Sequence, residues 1–163
     1  GAMFVMLGSG AQSYEDYFQH VRDSRPQQVG VYFGYNTALA HQVEAGADML
    51  VMASRYEPCG LNQLYSLRYG SVPVVHRTGG LADTITDATP QALADGTANG
   101  FSFSTYGVDH LEQTLNRACH AYAHEPDRWQ QLVATGMNQD WSWKHSAQRY
   151  VELYEKMIAK KRL

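Results

Sequence analysis

Between Ala53 and Gln63 the chain reads A-S-R-Y-E-P-C-G-L-N-Q, residue types that can grip a phosphate and a sugar together. Pro58 confines the backbone of Glu57 to extended or turn shapes, which gives its carboxylate a defined position. Gly60 allows close backbone approach just where a helix begins. The first amides of that helix, at Gly60, Leu61 and Asn62, have no intrahelical acceptors. They turn positive dipole outward and form a natural seat for a phosphate. A carboxylate beside such a seat opposes a bare phosphate, but it fits a phosphate that carries a sugar, whose hydroxyls can donate to Glu57. Two plainer roles stand equal to this one: Glu57 can cap the helix, or pair with Arg55 or Arg68. A second turn of the same kind, His76-Arg77-Thr78-Gly79-Gly80-Leu81, again joins a strand to a helix through paired glycines. Loop flexibility is the plainer account of that pair.

Other chemistry-bearing groups carry less. Gly8 and Gly10 supply the first two glycines of a dinucleotide fingerprint, but Ser13 stands at the third, and Gly34-Tyr35 occupies the place of the expected acid. A tight turn out of a strand explains them better than a nicotinamide cofactor. His120 and His124 share a helix face beside Glu125, and a solvent-facing helix end accounts for them without a metal. Nothing in the sequence activates Cys59 as a nucleophile, so packing or backbone positioning is its plain role. Trp129, Trp141 and Trp143 fall among helical apolar positions, which favours packing in the core or at an interface over a stacking platform for a ligand.

These residues need a frame. Compact apolar runs at Phe4–Leu7, Val29–Phe33, Met49–Met52, Val72–Val75 and Gly100–Phe103 read as strands. Between them lie amphipathic stretches: Tyr14, Tyr17, Phe18 and Val21 closed by Pro26, then Leu39 and Val43 after a cap at Asn36 or Thr37 and before a stop at Gly46, then Leu61–Tyr69 ending at Gly70. From Val108 the pattern is helical, through Leu111, Leu115, Ala118, Tyr122, Trp129, Leu132 and Val133 to a last helix with Ala147, Tyr150, Val151, Tyr154 and Met157. Pro90–Asn99 reads as the one long irregular loop. Alternation of this kind predicts an α/β fold: a Rossmann-like parallel sheet of about five strands, helices on both faces, and C-terminal helices. In such a sheet ligands bind beyond the carboxyl ends of the strands, where both glycine turns fall.

With 163 residues and 44% apolar content the chain fits one ordinary domain and is not disordered. Charged residues are only 18%, while 11 Tyr and 3 Trp raise the aromatic share, so part of the surface is expected to face a ligand or another protein segment. Thirteen basic against sixteen acidic residues leave a net charge of −3, which lacks the basic stripe of a nucleic-acid binder. The one basic cluster, Lys156 with Lys160-Lys161-Arg162, reads as a solvated helix end. No apolar run approaches the roughly eighteen residues of a membrane span, and no signal peptide is visible. Cys59 and Cys119 form no C-x-x-C pair, so a reducing compartment is the default. The opening Gly1-Ala2-Met3 reads as a cloning scar, with residues 4–163 as the domain proper.

The run G-A-D-M-L-V-M-A-S-R-Y-E-P-C-G-L-N-Q-L-Y from Gly46 to Tyr65 resembles the signature of bacterial glycogen synthases and plant starch synthases. R-T-G-G-L-A-D-T from Arg77 to Thr84 resembles that family's second signature. Gly34-Tyr35, the N-G-F of Asn99 to Phe101, and the W-S-W ending with Tyr150 and Leu153-Tyr154 follow in the expected order, so the resemblance covers about residues 3–158. It implies a two-lobed (GT-B) retaining glucosyltransferase that adds glucose from ADP-glucose or UDP-glucose to the non-reducing end of an α-1,4-glucan, without a metal or other cofactor. ADP is favoured by the bacterial and plant likeness, and the location would be cytoplasmic, or a plastid for a plant protein. The absence of any D-x-D agrees with metal independence.

The chain resembles most of the C-terminal, donor-binding lobe. By position, Tyr35 would stack on the base, with an aromatic face contributing about 1–3 kcal/mol. Amides at Gly60, Leu61 and Asn62 would hold the distal phosphate. Glu57, with backbone around Cys59 and Gly60, would contact the glucose hydroxyls, and Thr78-Gly79-Gly80 would border the diphosphate. Glu57 would orient the sugar and stabilise oxocarbenium-like charge rather than act as a double-displacement nucleophile. Tyr65 stands where the wider superfamily has a second Glu, as in the glycogen synthase branch, and Asn62 stands where Thr is common.

The resemblance also implies what is missing: an N-terminal lobe with acceptor-side groups, and a first strand whose turn bears an Arg and a K-G-L-type Lys. That strand would lie between those at Phe4 and Met49, so the expectation is that these two pair directly or that a second copy of the chain fills the gap. The isolated chain is expected to be inactive and to bind nucleotide weakly. The rival readings are a non-catalytic α/β module that binds nucleotide or glucan, and another GT-B nucleotide-sugar enzyme such as a sucrose-forming transferase or an epimerase.

Overall fold

A computed structural model describes residues 1–161, which form two compact units, residues 1–48 and residues 49–161. In the first unit β1 (Phe4–Gly8) pairs in parallel with β2 (Val29–Phe33), Phe4 opposite Val29 through Gly8 opposite Phe33. The crossover helix α1 (Gln12–Ser24) starts where the Glu15 carboxylate accepts the Gly10 amide at 2.9 Å. It ends at Arg25, just before Pro26, which cannot continue a hydrogen-bonded helix. Helix α2 (Thr37–Gly46) is capped by Asn36, whose side chain accepts the Leu39 amide at 3.0 Å. The unit encloses little: Glu44 is its one buried residue, while Phe4, Val5, Tyr14, Tyr17 and Tyr32 are exposed.

The second unit holds a three-stranded parallel sheet in the order β3 (Met49–Met52), β4 (Val72–His76), β5 (Phe101–Phe103). All five residues of β4 are buried, as a central strand covered on both sides requires. Because side chains alternate across a strand, Val72 and Val74 join one cluster with Phe101, Ala118, Ala121, Trp129 and Leu132, while Val75 joins the other with Leu67, Leu81 and Ile85. The first cluster draws on α6 (Val108–His124) and α7 (Pro126–Asn138), the second on α3 (Asn62–Tyr69) and α4 (Gly79–Thr84). Gly70 ends α3 in the left-handed conformation (φ 84°). The last helix, α8 (Trp143–Lys161), exposes Tyr150, Val151, Tyr154 and Met157. No helix among the described residues is long and apolar enough to cross a membrane.

The expected α/β architecture with five parallel strands is present, but two expectations need correction. The strands fall into two sheets, one in each unit. β1 pairs with β2, and β3 with β4, the strand that follows through one helix in each case. The stretch read as an irregular loop contains α5 (Pro90–Ala94). Thr89 caps it by accepting the Ala92 amide at 3.1 Å, and Pro90 sits at the first position, where a missing N–H costs nothing. Lys156 and Lys160 are exposed on α8, as expected of a solvated end, while the Lys161 side chain and Arg162 lie outside what the structure describes.

Candidate functional site

Two connections leave the carboxyl ends of neighbouring strands in the second unit, residues 53–61 after β3 and residues 77–78 after β4, and they meet. The Gly80 amide donates to the Glu57 carbonyl at 3.0 Å. Gly79 and Gly80 permit this approach because they lack side chains: a Cβ at Gly79 would lie 1.9 Å from the Glu57 carbonyl oxygen, and one at Gly80 would lie 1.8 Å from that of Cys59. Gly60, at φ 71°, makes the left-handed bend that leads into α3.

Beyond that bend the seat expected for an anion is open. The Leu64 and Tyr65 amides bond the Leu61 carbonyl, while the amides of Gly60, Leu61 and Asn62 find no acceptor among the described residues. No side chain caps α3, so these donors remain free for a ligand. In the second turn the Gly80 amide is spent on Glu57, the Thr78 amide bonds the His76 carbonyl, and the Thr78 carbonyl accepts from Leu81. The amide of Gly79, an exposed residue, has no acceptor among the described residues.

Glu57 is half-buried, and its Oε2 accepts the Ser54 hydroxyl at 3.1 Å. Neither plainer role is formed. Glu57 does not cap α3 and makes no ion pair among the described residues. Arg55 lies over the Tyr106 ring at 5.6 Å, and Arg68 donates to the Met137 carbonyl at 3.0 Å. Cys59 is exposed, with its thiol 3.6 Å from the Gly60 carbonyl.

Sequence reasoning passed over four residues that hold these turns. His76, 7% exposed, places Nδ1 2.8 Å from the Ser54 carbonyl. A carbonyl only accepts, so Nδ1 carries the proton. Gln63, fully buried, donates through Nε2 to the carbonyls of Cys59 and Gly60, at 3.1 Å each, and to Thr84 Oγ1 at 3.3 Å. Thr84 in turn donates to the Gly80 carbonyl. Gln63 and Thr84 both stand inside the quoted signatures, and Ser54 precedes Glu57 by one helical turn's spacing; the sequence marked these positions without showing their partners.

The structure thus gathers Glu57, Cys59, Gly60, Leu61, Asn62, Thr78, Gly79 and Gly80 in the second unit. Tyr35 belongs to the first, beyond the end of β2, where its ring is 91% exposed. The Gly8–Gly10 turn spends its Gly10 amide on Glu15, in keeping with a tight turn. His120 and His124 lie exposed with rings 4.9 Å apart, and no group of three potential metal ligands occurs among the described residues. Trp129 is a core residue, whereas Trp141 and Trp143 are exposed. A cleft of about 570 Å³ lies elsewhere, lined by Leu93, Phe101, Arg117, His120 and Arg128 among others.

The family described as Glycosyl transferases group 1 matches residues 2–132. A glycogen synthase of Rhodopirellula baltica is 47% identical over 156 residues, 96% of this chain and 31% of that protein. Glycogen synthase 1 of Methylococcus capsulatus is 48% identical over 155 residues, 95% of this chain and 31% of that protein. The chain thus spans about a third of the curated relatives it matches. Among solved structures, the catalytic domain of starch synthase IV from Arabidopsis thaliana, bound to ADP and acarbose, superposes with a TM-score of 0.84 at 31% identity, covering 98% of this chain and 33% of that one. Sucrose-phosphate synthase from Thermosynechococcus elongatus shares the fold alone, at a TM-score of 0.64 and 17% identity over 96% of this chain and 38% of that one. With the family matched over most of its length, and relatives named glycogen synthase at nearly half identity, the chain belongs to the group 1 glycosyl transferases.

Proposed function

We propose that this chain is the donor-binding part of a retaining glucosyltransferase that moves glucose from ADP-glucose, or from UDP-glucose, to the non-reducing end of an α-1,4-glucan. The observation that carries the reading is the set of three unpaired amides at Gly60, Leu61 and Asn62, three to five residues beyond a carboxylate that Ser54 restrains. The amides bind the distal phosphate of the donor, with the Gly79 amide bordering the diphosphate. The dipole of α3 opposes the negative charge that builds on the departing nucleotide. Glu57 accepts the glucose hydroxyls and stabilises positive charge at the anomeric carbon, helped by backbone around Cys59. The exposed ring of Tyr35 serves the nucleotide base.

The acceptor glucan and further cations for the diphosphate are assigned to parts of the relatives that this chain does not span. No metal or other cofactor is assigned a role. The same reading places the protein in the cytoplasm of a bacterium, or in a plastid if it comes from a plant.

The test is a chimaera in which this chain replaces the matching third of the Rhodopirellula baltica relative. Transfer of labelled glucose from ADP-glucose to glycogen is expected, with Glu57→Gln abolishing turnover while the unfolding midpoint holds. Turnover near wild type in Glu57→Gln rejects the role of the acid. Nucleotide binding with no transfer in the unsubstituted chimaera favours the non-catalytic reading.

A further inference from the structure

We propose that Gln63 and Thr84 act as positioning residues that staple the two strand-end turns into one cradle, and so set where the Gly60–Asn62 amides stand. The proposal rests on the donor-site reading and adds to it the device that holds the site in shape. The turns are separated by about twenty residues of sequence, and covalent geometry alone does not fix their spacing. Two links cross that gap, and a third within α4 fixes the group that receives one of them. The Gly80 amide donates to the Glu57 carbonyl at 3.0 Å. Gln63 Nε2 reaches the carbonyls of Cys59 and Gly60 on one side and Thr84 Oγ1 on the other. Thr84 Oγ1 closes the circuit by donating to the Gly80 carbonyl.

Thr84 therefore accepts from Gln63 across the gap and donates to Gly80 in its own helix, and one hydroxyl serves both bonds. The network is anchored behind as well. Asn99, fully buried, donates from Nδ2 to the Thr84 carbonyl at 2.9 Å and accepts the Thr86 amide at 2.7 Å. Gln63 accepts this placement at a cost, for its buried Oε1 has no partner. An acceptor left unpaired in the interior is tolerated where the rest of the side chain does something needed, and here the other end ties both turns.

Because Gln63 is fully enclosed, Gln63→Leu can simply fail to fold, so the test uses Thr84, which is only partly buried. Thr84→Val keeps the shape and removes both hydroxyl bonds, while Thr84→Ser keeps the hydroxyl. ADP affinity is measured by calorimetry on the whole chain, and amide exchange at Gly80 by NMR without ligand. Thr84→Val is expected to weaken ADP binding about tenfold and to speed Gly80 exchange by a similar factor, with Thr84→Ser restoring both. Wild-type ADP affinity in Thr84→Val, unchanged Gly80 exchange, or an equal loss in Thr84→Ser overturns the staple. A wild-type chain that binds no ADP instead overturns the donor-site reading on which the staple depends.

Discussion

Placing a single methyl group at Gly80 tests whether the two turns work as one body. In Gly80→Ala the new Cβ would stand 1.8 Å from the Cys59 carbonyl oxygen, 2.5 Å from its carbon and 2.7 Å from its Cα. All three are backbone atoms, so no flexible side chain can swing aside. Ordinary contact lies beyond 3 Å, and one turn must retreat from the other by about 1 Å or more. That retreat stretches the Gly80–Glu57 bond and the Gln63 bond to the Cys59 carbonyl.

Overpacking of this kind costs about 1–3 kcal/mol, and each weakened hydrogen bond about 1 kcal/mol more. For a chain of this size that lowers the unfolding midpoint by roughly 5–15 °C. A displacement of about 1 Å in the phosphate seat also weakens ADP binding, by tenfold or more. Calorimetry with ADP and thermal unfolding followed by circular dichroism read the two effects. Gly46→Ala is the control: its Cβ would meet nothing within 4 Å, and its expected effect on both readouts is small. Gly80→Ala with the midpoint and ADP affinity of the parent chain would refute the docking of the turns.

Two further outcomes follow from the structure. The chain alone is expected to incorporate no labelled glucose from ADP-glucose into glycogen, since it spans about a third of its relatives; detectable incorporation contradicts the assignment of essential groups to the remainder. Burial raises the Glu44 carboxyl above its ordinary range, against the opposing charge of His41, and its Oε2 has no partner. A carboxyl raised on folding binds its proton more tightly in the native state, so stability is lost as pH climbs from the ordinary carboxylate range through the raised value. Glu44→Gln is therefore expected to match the parent near pH 4 and to exceed its unfolding midpoint at pH 7. A lower midpoint for the variant at pH 7 defeats this account of Glu44.

The elements that position the site were legible because their signals are local. Val72–Val75 is apolar on both faces and lies between two helical stretches, as a buried parallel strand must. Asn36 and Gly70 mark a helix start and a helix end through chemistry confined to one turn of chain. Helix α5 was missed although its Thr89-Pro90 start is also local, because five residues show too little periodicity. The relation between the two turns was hidden for another reason. Gly79 and Gly80 look like residues that admit a phosphate or loosen a loop, whereas their missing Cβ atoms make room for the backbone of residues 57–59. Gln63 and His76 likewise act on carbonyls whose nearness exists only after folding. The division into two sheets depends on pairing between strands distant in sequence, which apolar runs do not specify.

An NMR titration of the whole chain with ADP and then ADP-glucose puts the reading at its sharpest. The backbone amides of Gly60, Leu61 and Asn62 should move with either nucleotide, and the Glu57 side-chain carboxyl carbon should move only when glucose is attached. Saturating shifts elsewhere with those three amides unmoved, or a Glu57 carboxyl indifferent to the sugar, would contradict it.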